Sequence, residues 1–100
     1  DMFFAAKTLS ESGGGQCVVS NGNLLALLPL PIAGLMSDAE PKKVIEQQIA
    51  LLRASASLGC PLDDPFMPLS FIPLSVIPKL KLSDLGLVDV DQFAIVPIEK

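Results

Sequence analysis

The residues with chemical potential in this chain are few, and their spacing narrows what they can do. There is no histidine among the 100 residues. A histidine-ligated metal, a Ser–His or Cys–His nucleophile pair and an imidazole proton shuttle therefore cannot be assembled from this chain alone. Cys17 and Cys60 stand far apart, in neither a CxxC nor a zinc-finger spacing. They read as reduced, mostly buried thiols of a cytoplasmic protein rather than as a disulfide framework. Asp63-Asp64 and Asp89 with Asp91 are close carboxylate pairs. Neither lies in an EF-hand pattern; the first, beside Pro65, reads as turn chemistry and the second as a solvated face. No metal site and no catalytic residue is assigned within the chain.

Two segments invite a binding role. Gly13-Gly14-Gly15 resembles a phosphate loop in composition, but that device needs a strand before the glycines and a helix after them. The order here is reversed, so the run reads as a helix terminator. Gly34-Leu35-Met36-Ser37-Asp38 combines a glycine that permits close backbone approach, two flexible apolar side chains and a following helix start. All five residues are candidates for a substrate pocket. The competing expectation is that Leu35 and Met36 are core and that Ser37 or Asp38 caps the helix.

The elements that must position these segments follow from periodicity. Met2, Ala5, Ala6 and Leu9 form one apolar stripe of a first helix, with Asp1 at its cap. Gln16–Ser20 and Leu24–Leu28 flank Asn21-Gly22, the strongest short signal for a two-residue hairpin turn. The return strand is apolar on both faces and is expected to be covered on both. Pro29 and Pro31 stop it and lead through an extended segment to a second helix opened by Pro41 and closed by Gly59. Its predicted buried stripe is Val44, Ile45, Ile49, Leu52 and Ala56. Prolines at 61, 65, 68, 73 and 78 predict that Phe66–Ile72 is an edge strand or an extended crossing segment. Ser83-Asp84-Leu85-Gly86 reads as a turn, and Phe93–Ile98 as a closing strand. The expectation is a single α+β domain over residues 1–100: two helices on a small mixed or antiparallel sheet built around a hairpin, in the order α-β-β-α-extended-β.

Composition adds exclusions. Eleven acidic against seven basic residues give a net charge of −4, and tyrosine and tryptophan are absent. A nucleic-acid partner would require a cationic footprint and usually aromatic platforms, so none is expected. Ser12–Ser37 is uncharged, but its glycines, asparagines and prolines break any membrane span. Half of the residues are apolar even before seven glycines are added, whereas a typical soluble domain shows about 45–50% with glycine included. The uncharged stretches, Pro65–Pro78 above all, are expected to meet a partner surface. The opening of the chain directly on a helix likewise suggests sequence upstream.

PLPIAGLMSD (Pro29–Asp38) and PFMPLSFIPLSVIPKLKLSDLGLVDV (Pro65–Val90) resemble the C-terminal region of bacterial adenine deaminases, of the amidohydrolase superfamily. GGGQCVVSNGNLLALLPL (Gly13–Leu30) is similar to the same family's glycine-rich turn and hairpin. The resemblance implies an enzyme of purine salvage that hydrolyses adenine to hypoxanthine and ammonia. It places a binuclear divalent metal centre, manganese or iron, with His and acidic ligands in a barrel upstream. It further implies that this segment packs on that barrel, shapes the substrate pocket or a homo-oligomer interface, and itself binds no cofactor. The alternative reading is a stand-alone, non-enzymatic binding or oligomerisation module.

Overall fold

The computed structural model describes residues 1–99. They form two compact units, one running from Asp1 to Asp63 and one from Asp64 onward. Helices and small antiparallel sheets occur in both, so the chain is α+β as expected. Among the described residues no helix is long and apolar enough to cross a membrane.

The first unit is built from α1 (Met2–Glu11), β1 (Gly15–Ser20), β2 (Asn23–Pro29) and α2 (Pro41–Ser57). Asn21 and Gly22 both have positive φ, 52° and 74°, as a type I′ turn demands. The strands pair antiparallel from Ser20↔Asn23 to Gly15↔Pro29, with an irregularity after Val18 that leaves Leu25 unmatched. At the end of α1, Gly13 adopts φ 78°. The Gly14 N–H then donates to the Leu9 carbonyl and the Gly13 N–H to that of Ser10. This pair of bonds is the Schellman closure that the glycine run predicts.

Four expectations for this unit are corrected. Asp1 occupies the N-cap position of α1 but its side chain makes no cap bond. Its carboxylate instead accepts the N–H groups of Asn21, at 3.0 Å, and Gly22, at 2.6 Å. Amides at a tight turn have no ladder partner, and an anion satisfies two at once. On α1 the side turned inward is Ala5, Thr8 and Leu9, while Met2 remains 89% exposed. The approach to β1 runs past the small Ala5, whose carbonyl lies 4.0 Å from the Cys17 thiol.

On α2 the predicted stripe is displaced by part of a turn. Leu51 and Ser55 are buried and Val44 and Gln47 half-buried, whereas Ile45, Ile49 and Ala56 are exposed. The helix rests on a two-stranded hairpin, whose width is about two strand spacings of 4.8 Å. So narrow a platform covers only one row of a helix surface. Ser55 is tolerated inside because its hydroxyl donates to the Leu52 carbonyl at 3.0 Å. The same narrowness leaves Leu24 and Leu25 exposed, so β2 is not covered on both faces; Ala26 and Leu28 complete the core with Val18.

The second unit holds α3 (Phe66–Phe71) and a three-stranded antiparallel sheet in the order β3 (Leu80–Ser83), β4 (Gly86–Asp89), β5 (Ala94–Val96). The helix replaces the edge strand expected over Phe66–Ile72. Asp64 accounts for it, since its carboxylate accepts the N–H groups of Phe66 and Met67 at 2.9 and 3.3 Å. Pro68 lies within the first turn, where no N–H has a helical partner to lose, and Pro73 bars continuation. The turn at Ser83–Gly86 forms as predicted, with the Ser83 hydroxyl donating to the Gly86 carbonyl. The closing strand is shorter than expected, because Phe93 adopts φ 53° and leaves the extended conformation.

Among the described residues Leu51 is the one large side chain wholly removed from solvent. Leu51→Ala is expected to cost about 3 kcal/mol in urea denaturation. Leu85→Ala, at a position 76% exposed, is expected to cost less than about 0.5 kcal/mol.

Candidate functional site

The segment between β2 and α2 is not extended but folds into a small loop of its own. Ile32 and Met36 exchange backbone hydrogen bonds in both directions, each 3.1 Å long. Inside that bridge the Leu35 N–H donates to the Ile32 carbonyl at 3.0 Å, closing a four-residue turn. Its central residues, Ala33 and Gly34, have φ of 57° and 71°. The left-handed region is ordinary for glycine and costs alanine roughly 1–2 kcal/mol.

The loop is seated by glycines rather than by side chains. A methyl group on Gly14 would stand 2.7 Å from the Gly34 Cα, well inside van der Waals contact. One on Gly15, at φ 144°, would collide with the Leu28 carbonyl. The Leu30 N–H donates to the Gly14 carbonyl at 3.0 Å and ties the loop entrance to the end of α1. The glycine run therefore does more than end a helix: it clears the ground on which the turn at Ala33-Gly34 rests. From sequence Gly14 was read only as part of a helix terminator, and Ala33 was not singled out. The available signal was the length of the run, since a Schellman closure needs only one glycine.

The five candidate residues are adjacent in this loop but differ in disposition. Gly34 is half-buried against Gly14, while Leu35 and Met36 project outward, 68% and 58% exposed. They are not core. Asp38 is exposed and Ser37 half-buried. Neither caps α2, which has Glu40 at its N-cap and opens on Pro41. The Ser37 hydroxyl instead accepts the Ala39 N–H at 3.0 Å, a local turn that fixes the chain's approach to the helix. Because that oxygen is used as an acceptor, its proton is free to be donated outward.

Other reactive groups are differently placed. Burial pushes the Cys17 thiol up from its ordinary value, which keeps it protonated at neutral pH and dulls it as a nucleophile. Cys17 and Cys60 are both free and half-buried rather than mostly buried. Asp64 and Asp89 are engaged in turns, the latter accepting the Gln92 backbone and side-chain N–H groups. Among the described residues no three of His, Cys, Asp and Glu stand together as a metal-binding group. The donor set of the described residues does not fit a divalent metal centre.

Fold and loop together define a small α+β module that holds an apolar turn outward on a glycine seat. The sequence matches the family described as the adenine deaminase C-terminal domain over residues 1–94, and the chain belongs to that family. It is 54% identical over 97 residues to an adenine deaminase of Brucella anthropi, covering 96% of this chain and 17% of that protein. An adenine deaminase of Oleidesulfovibrio alaskensis is 51% identical over 98 residues, again 17% of its length. One from Moorella thermoacetica is 48% identical over 98 residues, 16% of its length. The chain thus spans about one-sixth of the curated relatives it matches.

The strain at the loop tip is testable. Ala33→Gly is expected to stabilise the chain by about 0.5–1 kcal/mol, relief of the positive φ outweighing the added unfolded-state freedom. Gly14→Ala is expected to destabilise it by more than that. Ser37→Ala, which removes one part-buried turn bond, is expected to cost about 1 kcal/mol. Melting temperatures of the three variants check the order.

Proposed function

We propose that this chain is the C-terminal module of an adenine deaminase, a cytoplasmic amidohydrolase of purine salvage that converts adenine and water to hypoxanthine and ammonia. The supporting observation is identity of about one-half to adenine deaminases along nearly the whole chain, at one-sixth of their length. In this reading the remainder of the enzyme supplies the metal-dependent barrel, with a binuclear manganese or iron centre. The module supplies architecture. It packs on the barrel and contributes to a homo-oligomer, with neither nucleic acid nor membrane as partner. Its apolar surface suits that role: Met67, Leu69 and Ile72 on and after α3 are all more than half exposed.

The loop at Gly34–Asp38 is proposed to complete the substrate pocket. Gly34 holds the backbone close, Leu35 and Met36 offer flexible apolar contact to the flat face of the purine, and the Ser37 hydroxyl has a proton to donate to a ring nitrogen. Asp38 stands at the margin as an acceptor for an amino group. The arrangement binds and orients; proton transfer and hydrolysis belong to the barrel.

Met36→Ala in the full-length enzyme is expected to lower kcat/KM for adenine about tenfold, the effect of losing one well-packed apolar contact of roughly 1.4 kcal/mol. Its melting temperature should move little, because the side chain is exposed within this chain. Wild-type kcat/KM per folded molecule in Met36→Ala and Ser37→Ala alike would remove the loop from the pocket.

A further inference from the structure

Helix α2 carries a second apolar row that the hairpin does not use. Ile45, Ile49, Leu52 and Ala56 recur at i, i+4, i+7 and i+11, which align along one side of a helix. Ile45 is 56% and Ile49 43% exposed, Ala56 is exposed, and Leu52 is half-buried at the inner margin. Exposed Glu46 and Arg53 border the outer margin. Arg53 has Ile49, Ala50, Ala56 and Ser57 at the positions three and four residues away, so no acid of its own helix can reach it. Glu46 lies seven residues off, about 10 Å along the axis.

The row is self-complementary under reversal. Laid antiparallel on a second copy, with the two-fold axis level with Ala50 and Leu51, Ile45 meets the second copy's Ala56 and Ile49 its Leu52. The same register brings Glu46 within two residues, about 3 Å, of the second copy's Arg53, and does so twice by symmetry. In a parallel two-fold arrangement the charged margins of the two copies would fall on opposite sides of the seam, so Glu46 and Arg53 would find no partner across it. We propose that the enzyme self-associates through this face, α2 antiparallel against α2 of a second copy. The proposal rests on the homo-oligomeric reading above and names its contact.

Sedimentation equilibrium of the full-length enzyme tests it. Ile49→Asp is expected to weaken self-association by about a hundredfold or more, since each interface loses an anchor twice. Glu46→Arg is expected to weaken it about tenfold, and Glu46→Arg with Arg53→Glu to recover to within about threefold of wild type. The charge variants lie at exposed positions and decide the matter even if Ile49→Asp does not fold. A wild-type enzyme that is monomeric at micromolar concentration overturns this contact and the oligomeric reading together. An oligomer that withstands Ile49→Asp, or a charge exchange that fails to recover, overturns the α2 contact alone and leaves the oligomeric reading standing.

Discussion

The first unit depends on how little platform a two-stranded hairpin offers. Val18, Ala26 and Leu28 form its buried face, and Leu51 is the one large side chain that α2 sinks completely. Burying a leucine contributes about 1.5–3 kcal/mol, and an isolated hairpin is at best marginally stable in water. Hairpin and helix therefore stabilise each other through one narrow seam. Every other apolar side chain of α2 and β2 must find cover elsewhere or remain wet. That single limit accounts for exposed Ile45 and Ile49 on the helix and exposed Leu24 and Leu25 on the strand.

The glycine run carries the second constraint. Backbone can approach backbone closely only where no Cβ intervenes, and the end of α1 meets the Gly34 turn at such a point. The consequence is mechanical. With its base fixed by Gly14, by the Leu30 hydrogen bond and by the Ile32–Met36 bridge, the turn holds Leu35 and Met36 away from the core. Two flexible apolar side chains on an anchored backbone can adapt to a partner without the loop itself being ordered anew, which lowers the entropic cost of meeting it.

Features set by local chemistry were legible in the sequence. Asn21-Gly22 specified the hairpin turn, Gly13 the end of α1 and Ser83–Gly86 the second turn, because each requires a residue type at a fixed offset. Features set by competition between alternative local choices were not. On helix α2 the row Ile45, Ile49, Leu52 and Ala56 is the more apolar, yet the hairpin takes the row of Val44, Gln47, Leu51 and Ser55. Phe66–Ile72 has prolines that argue against a central strand, but the same prolines suit a first helical turn. The Asp64 carboxylate settles that case in favour of helix. Asp1 likewise had two nearby sets of free amides to serve and took the hairpin turn rather than its own helix. The Gly34–Asp38 segment drew attention from its sequence alone, while its glycine seat, which joins positions twenty residues apart, lay beyond any local pattern.

The apolar content of the chain now divides into two populations with different physical roles. Among the described residues Val18, Ala26, Leu28, Leu51 and Val90 are the buried hydrophobic ones. Phe3, Leu35, Ile45, Met67 and Val76 are among many large ones left largely in water. Single exposed apolar residues are unremarkable on any soluble protein, but clusters of them mark surfaces of association. Loss of a residue from the first population acts through cavity formation and removes folded molecules. Loss of one from the second acts on whatever the surface meets and leaves the folded fraction nearly unchanged. The exposed large apolar residues outnumber the buried ones among the described residues, and the relatives this chain matches are about six times longer than it. The fold of the first unit rests on the narrow seam around Leu51, while Ile45, Ile49, Leu24 and Leu25 of the same unit stand exposed.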